Sequence, residues 1–442
     1  MAASPLEIDR GPARWPEYGL DACVFLLLPV LVLAPRGAAP LAALAGLFGL
    51  TLALPAGMAS WRKLLAPAAL LGGLLGWGLV SSLWAVDPLR SLEMTMRLTA
   101  LFVAALGLTA AAPLLAAPRR LLCWLAAGLA VAMVLTAIQF VTQGWLTSAL
   151  SKRMFNTPAL NQVENGLALL LLPLTALLIE RRRLWLATLA AGAMALTLFG
   201  LVGTSAKVGV AAAVVAAALL YLVRRPVARL AAIVSVVAIL TAPLTFPALD
   251  EVPAVHDWAA GYWKFSARHR LEIWWFTGNR IAERPLLGWG LDSSRAIPGG
   301  SDPSPAGPPW LPLHPHNGAL QIWLELGLPG ALLFAGFIAR LWLGLARASW
   351  PRLFAAAAGG SLCAAQTIGL AAYGLWEEWW IGAQFLMLFL ILVMGRLSSA
   401  VTPPRDLRRR PAPPPGHPIS ILSLGGREGE RAGAGSASAE PT

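Results

Sequence analysis

LLCWLAAGLAVAMVLTAIQFV, residues 121–141, decides the fold class, because none of its residues carries a charge. As a helix rising about 1.5 Å per residue, such a run crosses the roughly 30 Å hydrocarbon layer of a bilayer. Comparable runs lie at roughly 18–35, 38–57, 63–84, 95–117, 120–143, 161–180, 184–204, 207–224, 228–248, 317–345, 352–373 and 378–400. They predict an all-α polytopic membrane protein with about twelve transmembrane helices. The composition agrees, with 57% of the 442 residues hydrophobic and only 13% charged. A soluble domain carries about a quarter charged residues, so the surplus apolar surface must face lipid. The first run follows the mixed-charge residues Glu7, Asp9, Arg10, Arg14 and Glu17, and no small-residue cleavage site comes after it. It is expected to be a span rather than a cleaved signal. Cys23, Cys123 and Cys363 all sit inside apolar runs, as small buried hydrophobes do, rather than in a disulfide or metal pattern.

The net charge of +12 invites a nucleic-acid reading, but the placement of the basic residues argues against one. With the N-terminus in the cytoplasm, the cytoplasmic side receives Arg10, Arg14, Arg62, Lys63, Arg119, Arg120, Arg181, Arg182, Arg183, Arg224, Arg225, Arg229, Arg347 and Arg352. The short outer loops receive only Arg36, Arg90, Lys152, Arg153 and Lys207. That bias orients a membrane protein. It also suits contact with anionic membrane lipids, so no nucleic-acid partner is expected.

The organisation that follows is a cytoplasmic tail (1–17), nine spans (18–248), a large outer loop (249–316), three spans (317–400) and a tail (401–442). The last tail, with PAPPPGHP and RAGAGSASAE, cannot bury enough apolar surface to fold and reads as disordered and cytoplasmic. The long loop reads as functional. Within it, residues from about 266 to 283 read as a helix with Leu271, Trp274, Trp275, Gly278 and Ile281 on one face, stopped by Pro285. Glu272, Asn279, Arg280 and Glu283 lie toward its other side.

The densest chemistry is Leu313-His314-Pro315-His316-Asn317-Gly318, where the loop re-enters the membrane. Histidine titrates near neutral pH and can take a proton from a hydroxyl. Asn317 suits either the orientation of an imidazole or substrate, or a helix N-cap. A metal site finds no third ligand at a familiar spacing. Arg268-His269-Arg270 opens the loop helix, and paired guanidiniums suit phosphate or diphosphate. Lys152-Arg153 and Lys207 are cations on the outer side, where either an anionic ligand or snorkelling accounts for them.

His316-Asn317, nine residues, Gly327, two residues and Gly330 resemble the signature of bacterial O-antigen ligases, a family that includes O-antigen polymerases and protein O-oligosaccharyltransferases. SSLWAVDPLRSL (81–92), Arg270-Leu271-x-x-Trp274, Glu283-Arg284-Pro285-Leu286-Leu287-Gly288-Trp289-Gly290 and Thr204-Ser205-Ala206-Lys207 resemble four further family segments. The resemblance spans roughly residues 80 to 330. It implies a GT-C-like glycosyltransferase embedded in the bacterial inner membrane, with its active site facing the periplasm and no metal or cofactor. The donor would be a glycan on undecaprenyl diphosphate, and for a ligase the acceptor would be a sugar hydroxyl of lipid A-core. His316 would activate that hydroxyl, while Arg270 and Lys207 would hold the departing diphosphate. Lys207 stands where the family usually has arginine and lacks its two-pronged geometry, which leaves Arg153 or Arg268 as alternatives for the second contact. Arg268, Arg153, His314 and Asn317 would line the substrate. A polymerase or protein-glycosylating enzyme shares this pattern. A transporter would instead show ionisable residues at mid-membrane and two related halves, and neither is evident.

Overall fold

The computed structural model describes residues 15–58, 61–151, 160–201, 203–261 and 264–400. The helices are α1 (Trp15–Leu33), α2 (Ala38–Ala53), α3 (Leu65–Ser81), α4 (Pro88–Ala111), α5 (Pro118–Val141), α6 (Trp145–Ser151), α7 (Asn161–Glu180) and α8 (Leu184–Gly200). They continue with α9 (Thr204–Leu240), α10 (Ala242–Thr245), α11 (Pro253–Gly261), α12 (Lys264–Glu283), α13 (Gly318–Arg347), α14 (Arg352–Gly369) and α15 (Glu378–Ser399). Among the described residues the β-structure is one isolated bridge between Pro303 and Pro309. Among the described residues eight helices are long and apolar enough to cross a bilayer, and α3 and α8 are shorter apolar helices. The chain is therefore an α-helical polytopic membrane protein. Large apolar side chains such as Leu47, Leu196 and Leu222 point outward, as a lipid-facing surface requires.

Lipid gives apolar side chains little reason to leave it, so the helices associate through close backbone packing. On α2, a β-carbon at Gly46 would lie 2.3 Å from that of Ala104 on α4, and only glycine permits that approach. α1 packs along α5, α14 along α9, and α13 against both α9 and α3. At one end of the bundle Arg120 pairs with Glu17 (3.3 Å) and Asp21 (2.6 Å), tying α5 to α1.

The runs at 207–224 and 228–248, expected as separate spans, correspond to the two helical parts of α9, which meet at a break at Val223 (φ −142°, ψ 71°). Pro226 causes the break: it has no N–H, and its ring crowds the carbonyl four residues earlier, on Leu222. Arg352 meets the freed groups, donating to the carbonyls of Tyr221 and Leu222.

The segment after α10 folds over one end of the bundle. The loop helix is present as α12. It lies close on the 3-10 turn Pro247–Glu251, where a β-carbon at Gly278 would sit 2.4 Å from the Pro247 ring. Leu271 and Ile281 are buried as expected, but Trp275 is 41% exposed and Glu272 only 7%. The expected two-faced helix is thus covered on its polar side at Glu272, while Asn279 and Glu283 stay exposed. The turn around residues 303–310 folds over it, and the Ala306 amide donates to Glu272 Oε2 (3.1 Å). Periodicity within one helix cannot reveal a cover supplied by a later turn. Lys152, Arg153 and the tail from 401 lie outside the described residues.

Candidate functional site

The site is built on a broken helix. α13 is interrupted at Gly327 (φ 59°, ψ −157°), a backbone region open essentially to glycine alone. Pro329 follows and cannot donate to the carbonyl of Glu325. Each carbonyl set free near the break finds another donor, as the bilayer interior demands. Trp289 N–H donates to Leu324 O (2.9 Å), Gly290 N–H to Glu325 O (2.8 Å), and the Trp77 indole to Leu326 O (2.8 Å). In return Leu328 N–H donates to Pro285 O (3.0 Å). The Pro285–Gly290 turn therefore lies against the break. A β-carbon at Gly288 would fall 2.5 Å from the Glu325 carbonyl, and one at Gly327 2.4 Å from the Leu286 oxygen. Trp289 also caps α12, its indole donating to Arg280 O (2.9 Å), and Arg284 stacks on its ring at 4.0 Å.

The 81–92 segment joins the same unit. Val86 N–H donates to Trp289 O (3.1 Å), Leu291 N–H to Ser81 Oγ (3.1 Å), and Arg90 pairs with Asp292 at 2.7 Å. Asp87 caps α4 by accepting from the Arg90 amide (3.1 Å). Glu325, fully buried, gathers the unit from below. Its carboxylate accepts from the Asp292 amide, Ser294 Oγ, Gln321 Nε2 and the Trp376 indole.

The histidine loop enters α13 above this unit. Asn317 is its N-cap, with Oδ1 accepting from Ala319 (3.0 Å) and Leu320 (3.1 Å). The capping alternative is therefore real, and it leaves the buried Asn317 Nδ2 without a protein partner among the described residues. The Trp274 indole of α12 donates to Pro315 O (3.0 Å) and ties the loop helix to the histidines. His316 sits at φ 53°, a left-handed conformation uncommon for a side chain of this size.

Hydrogen bonding separates the two imidazoles, which chemistry read from the sequence could not. His314 Nδ1 faces the His316 amide (3.1 Å) and must accept, so its proton lies on Nε2, 3.8 Å from Glu377 Oε1. His316 Nδ1 faces the Ala372 carbonyl (2.9 Å), which can only accept. The His316 proton is therefore on Nδ1, and Nε2 keeps a lone pair able to take a proton. The rings lie 4.3 Å apart, edge to face. Burial, with the nearby His316, Arg295 and Arg270, pushes His314 down to about 3, so it stays neutral. Burial also holds His316 below its ordinary value; the Ala372 bond opposes this shift, and Arg270 and His269 add to it.

Arg270 stands one helical turn before Trp274, on the face of α12 toward the histidines. Its neighbours on α12 have carboxylates: Arg268 pairs with Glu272 at 3.5 Å and Arg280 with Glu283 at 2.8 Å. Among the described residues Arg270 has only the Ser266 hydroxyl (3.2 Å), and its buried Nε has no partner. Burial lowers its pKa, yet a guanidinium stays charged. A half-buried cation without a counter-ion is costly unless an anion joins it. Lys207 has other company: Nζ donates to Leu201 O, and the buried Glu164 carboxyl lies in its field. Its surroundings connect to the segment after α14 through Ser205, Asn165 and Tyr373, with Asn165 Nδ2 donating to the Tyr373 hydroxyl (2.7 Å). Arg268 faces away, as described below. Among the described residues no three His, Cys, Asp or Glu side chains gather as a metal-ion set.

Residues 189–335 match the family model described as O-antigen ligase. This stretch, about a third of the chain, is therefore similar to the O-antigen ligase family. The matched region contains Lys207, Arg270, the Pro285–Gly290 turn, both histidines and the break at Gly327. A provisionally named polysaccharide ligase of Rickettsia conorii is 34% identical over 164 residues, covering 36% of this chain and 40% of the relative. One from Rickettsia typhi is 34% identical over 170 residues with the same coverage. One from Rickettsia bellii is 36% identical over 133 residues, 29% of this chain and 32% of the relative. The chain thus spans about two-fifths of the curated relatives it matches most fully.

Sequence reasoning missed what lies beyond the family region. The 370–377 loop between α14 and α15 supplies the Ala372 carbonyl, the Trp376 indole and Glu377. It also supplies Gly374, where a β-carbon would lie 2.9 Å from the His314 ring. Its signal was the packing of Tyr373, Trp376 and Glu377 into a very short inter-span loop. An apolar cavity of about 430 Å³ adjoins this loop at Tyr373 and Gly374 and extends along α13 from Gly318 to Trp342.

Proposed function

We propose that this chain is a member of the O-antigen ligase family and transfers a glycan from undecaprenyl diphosphate to a sugar hydroxyl of lipid A-core, at the periplasmic face of a bacterial inner membrane. The observation that carries the reading is the half-buried, carboxylate-free Arg270 beside a histidine whose Nε2 is open. In the proposed step the acceptor oxygen attacks the anomeric carbon, and its proton goes to His316 Nε2. The bond from the anomeric carbon to the phosphate oxygen breaks, and the lipid diphosphate leaves with the electron pair. Arg270 meets the charge that develops there, with Lys207 as the second cation, or Arg153, which lies outside the described residues. No metal is required by this scheme. The apolar cavity along α13 would hold part of the polyprenyl chain. Twelve spans, made by counting α9 as two and adding α3, α8 and α14 to the other long helices, would put both termini in the cytoplasm and the 249–316 segment in the periplasm. The family names support glycan transfer, but the acceptor separates a ligase from a polymerase or protein-glycosylating enzyme.

The test is a gel of lipopolysaccharide from a strain lacking the protein, complemented with wild type or Arg270→Ala. A ligase predicts that wild type restores the long ladder and that Arg270→Ala leaves polymer on its lipid carrier. Cores bearing a single repeat would make the protein a polymerase. A ladder that never depended on the protein would remove the ligase reading.

The pH dependence has a defined sign. Neutral His316 is the active base, and its folded pKa lies below 6.5. Most of the base is available at pH 7, and the acid limb of the transfer rate should have its midpoint below 6.5. A midpoint at or above 6.5 in rates measured on membranes would contradict His316 as the base.

A further inference from the structure

A second cavity, of about 240 Å³, lies on the other side of α12, bounded by Asp250, His256, Arg268, Glu272, Trp275 and Trp310. Arg268, Glu272 and Trp275 follow the i, i+4, i+7 stripe of a helix, and Arg270 and Trp274 lie about 200° around from it at 3.6 residues per turn. One helix therefore shows one face to His316 and the opposite face to this cavity.

The composition of the cavity is that of a sugar site. A pyranose ring has apolar C–H faces and a rim of hydroxyls, so it is held by an aromatic face together with fixed donors and acceptors. Trp275 is 41% exposed at the cavity, its ring centroid 5.4 Å from that of Trp310, which in turn stacks on Phe276 at 5.8 Å. The polar groups come in prearranged pairs, Arg268 with Glu272 (3.5 Å) and His256 with Asp250 (3.2 Å). Glu272 is more than nine-tenths buried and held by the Ala306 amide. A merely solvated ion pair would not need a covering turn, nor an indole left open beside it.

We propose that this cavity is a binding subsite for a pyranose within an oligosaccharide, separate from the reacting sugar. The inference rests on the glycan-transfer reading. A separation of about one helix diameter, ~10 Å, suits a residue a few sugars along the chain. The same chemistry would come from the donor glycan or from the acceptor's carbohydrate.

The experiment measures binding to the full-length protein in nanodiscs, by isothermal titration and by saturation-transfer NMR. Two probes are used: oligosaccharide released by mild acid from the cell's lipid-linked glycan, and core oligosaccharide released from lipid A. The expected result is saturable binding of one probe, which identifies the source. Trp275→Ala should weaken it at least tenfold with an unchanged melting temperature, and Trp275→Tyr should keep most of it. Failure of both probes to bind wild type, or equal binding by Trp275→Ala, overturns the subsite. Because binding is read without turnover, a fully active His316→Ala variant would remove the transfer scheme and leave the subsite to be decided by Trp275→Ala alone.

Discussion

Replacing His316 with alanine is expected to slow the proposed glycan transfer by about 10²- to 10⁴-fold, the usual worth of a positioned acid–base group. The geometry makes this specific to one of two adjacent imidazoles. His316 has its Nδ1 proton engaged by Ala372 O at 2.9 Å and its Nε2 open. His314 spends Nδ1 on the His316 amide at 3.1 Å and packs against Gly374. His314→Ala should therefore lose less, because it removes only a contact that positions the neighbouring backbone. The measurement is transfer by purified protein with lipid-linked donor, alongside donor binding. His316→Ala should retain donor binding, since Arg270 and the apolar cavity are untouched. A His316→Ala enzyme as fast as wild type, or one whose loss follows loss of donor binding, would sink the role.

The second large effect is structural. Gly327→Ala is expected to cost on the order of 3 kcal/mol or more, through a backbone conformation closed to alanine and a clash with main chain. Its β-carbon would lie 2.4 Å from the Leu286 oxygen, a fixed group rather than a movable side-chain tip. Relief would require separating the Pro285–Gly290 turn from α13, and with it the donors to Leu324 O and Glu325 O. A lower melting temperature and lost transfer are the expected readouts. A Gly327→Ala protein that melts like wild type would mean that the break does not depend on glycine.

Much of this was legible in the sequence. Uncharged runs announced the helices, and the motifs around Arg270, Gly288, His316 and Gly327 marked the residues that converge. Proximity was not legible. That the Ser81–Leu92 segment and the Pro285–Gly290 turn serve the same broken helix follows from backbone hydrogen bonds, which leave no periodicity. The partners of His316 and His314 lie on the 370–377 loop, beyond the family match. The cover over Glu272 on α12 depends on a turn some thirty residues later, joined to it through Ala306 (34 residues apart). Lys207 shows the limit of motif reading, because its position matched a family pattern while its neighbour Glu164 is visible only in three dimensions.

The interlocked unit also sets an order of assembly. Ser81 waits for Leu291, 210 residues later, and Trp77 for Leu326, 249 residues later. Chains are made from the N-terminus onward, so early helices must enter the bilayer before their partners exist. His316 then lacks its Ala372 contact until the segment after α14 has been synthesised, 56 residues further on. A nascent chain can thus hold most of its helices in the membrane while its imidazole is still unaligned, and competence arrives late, with the closing of the last helical pair.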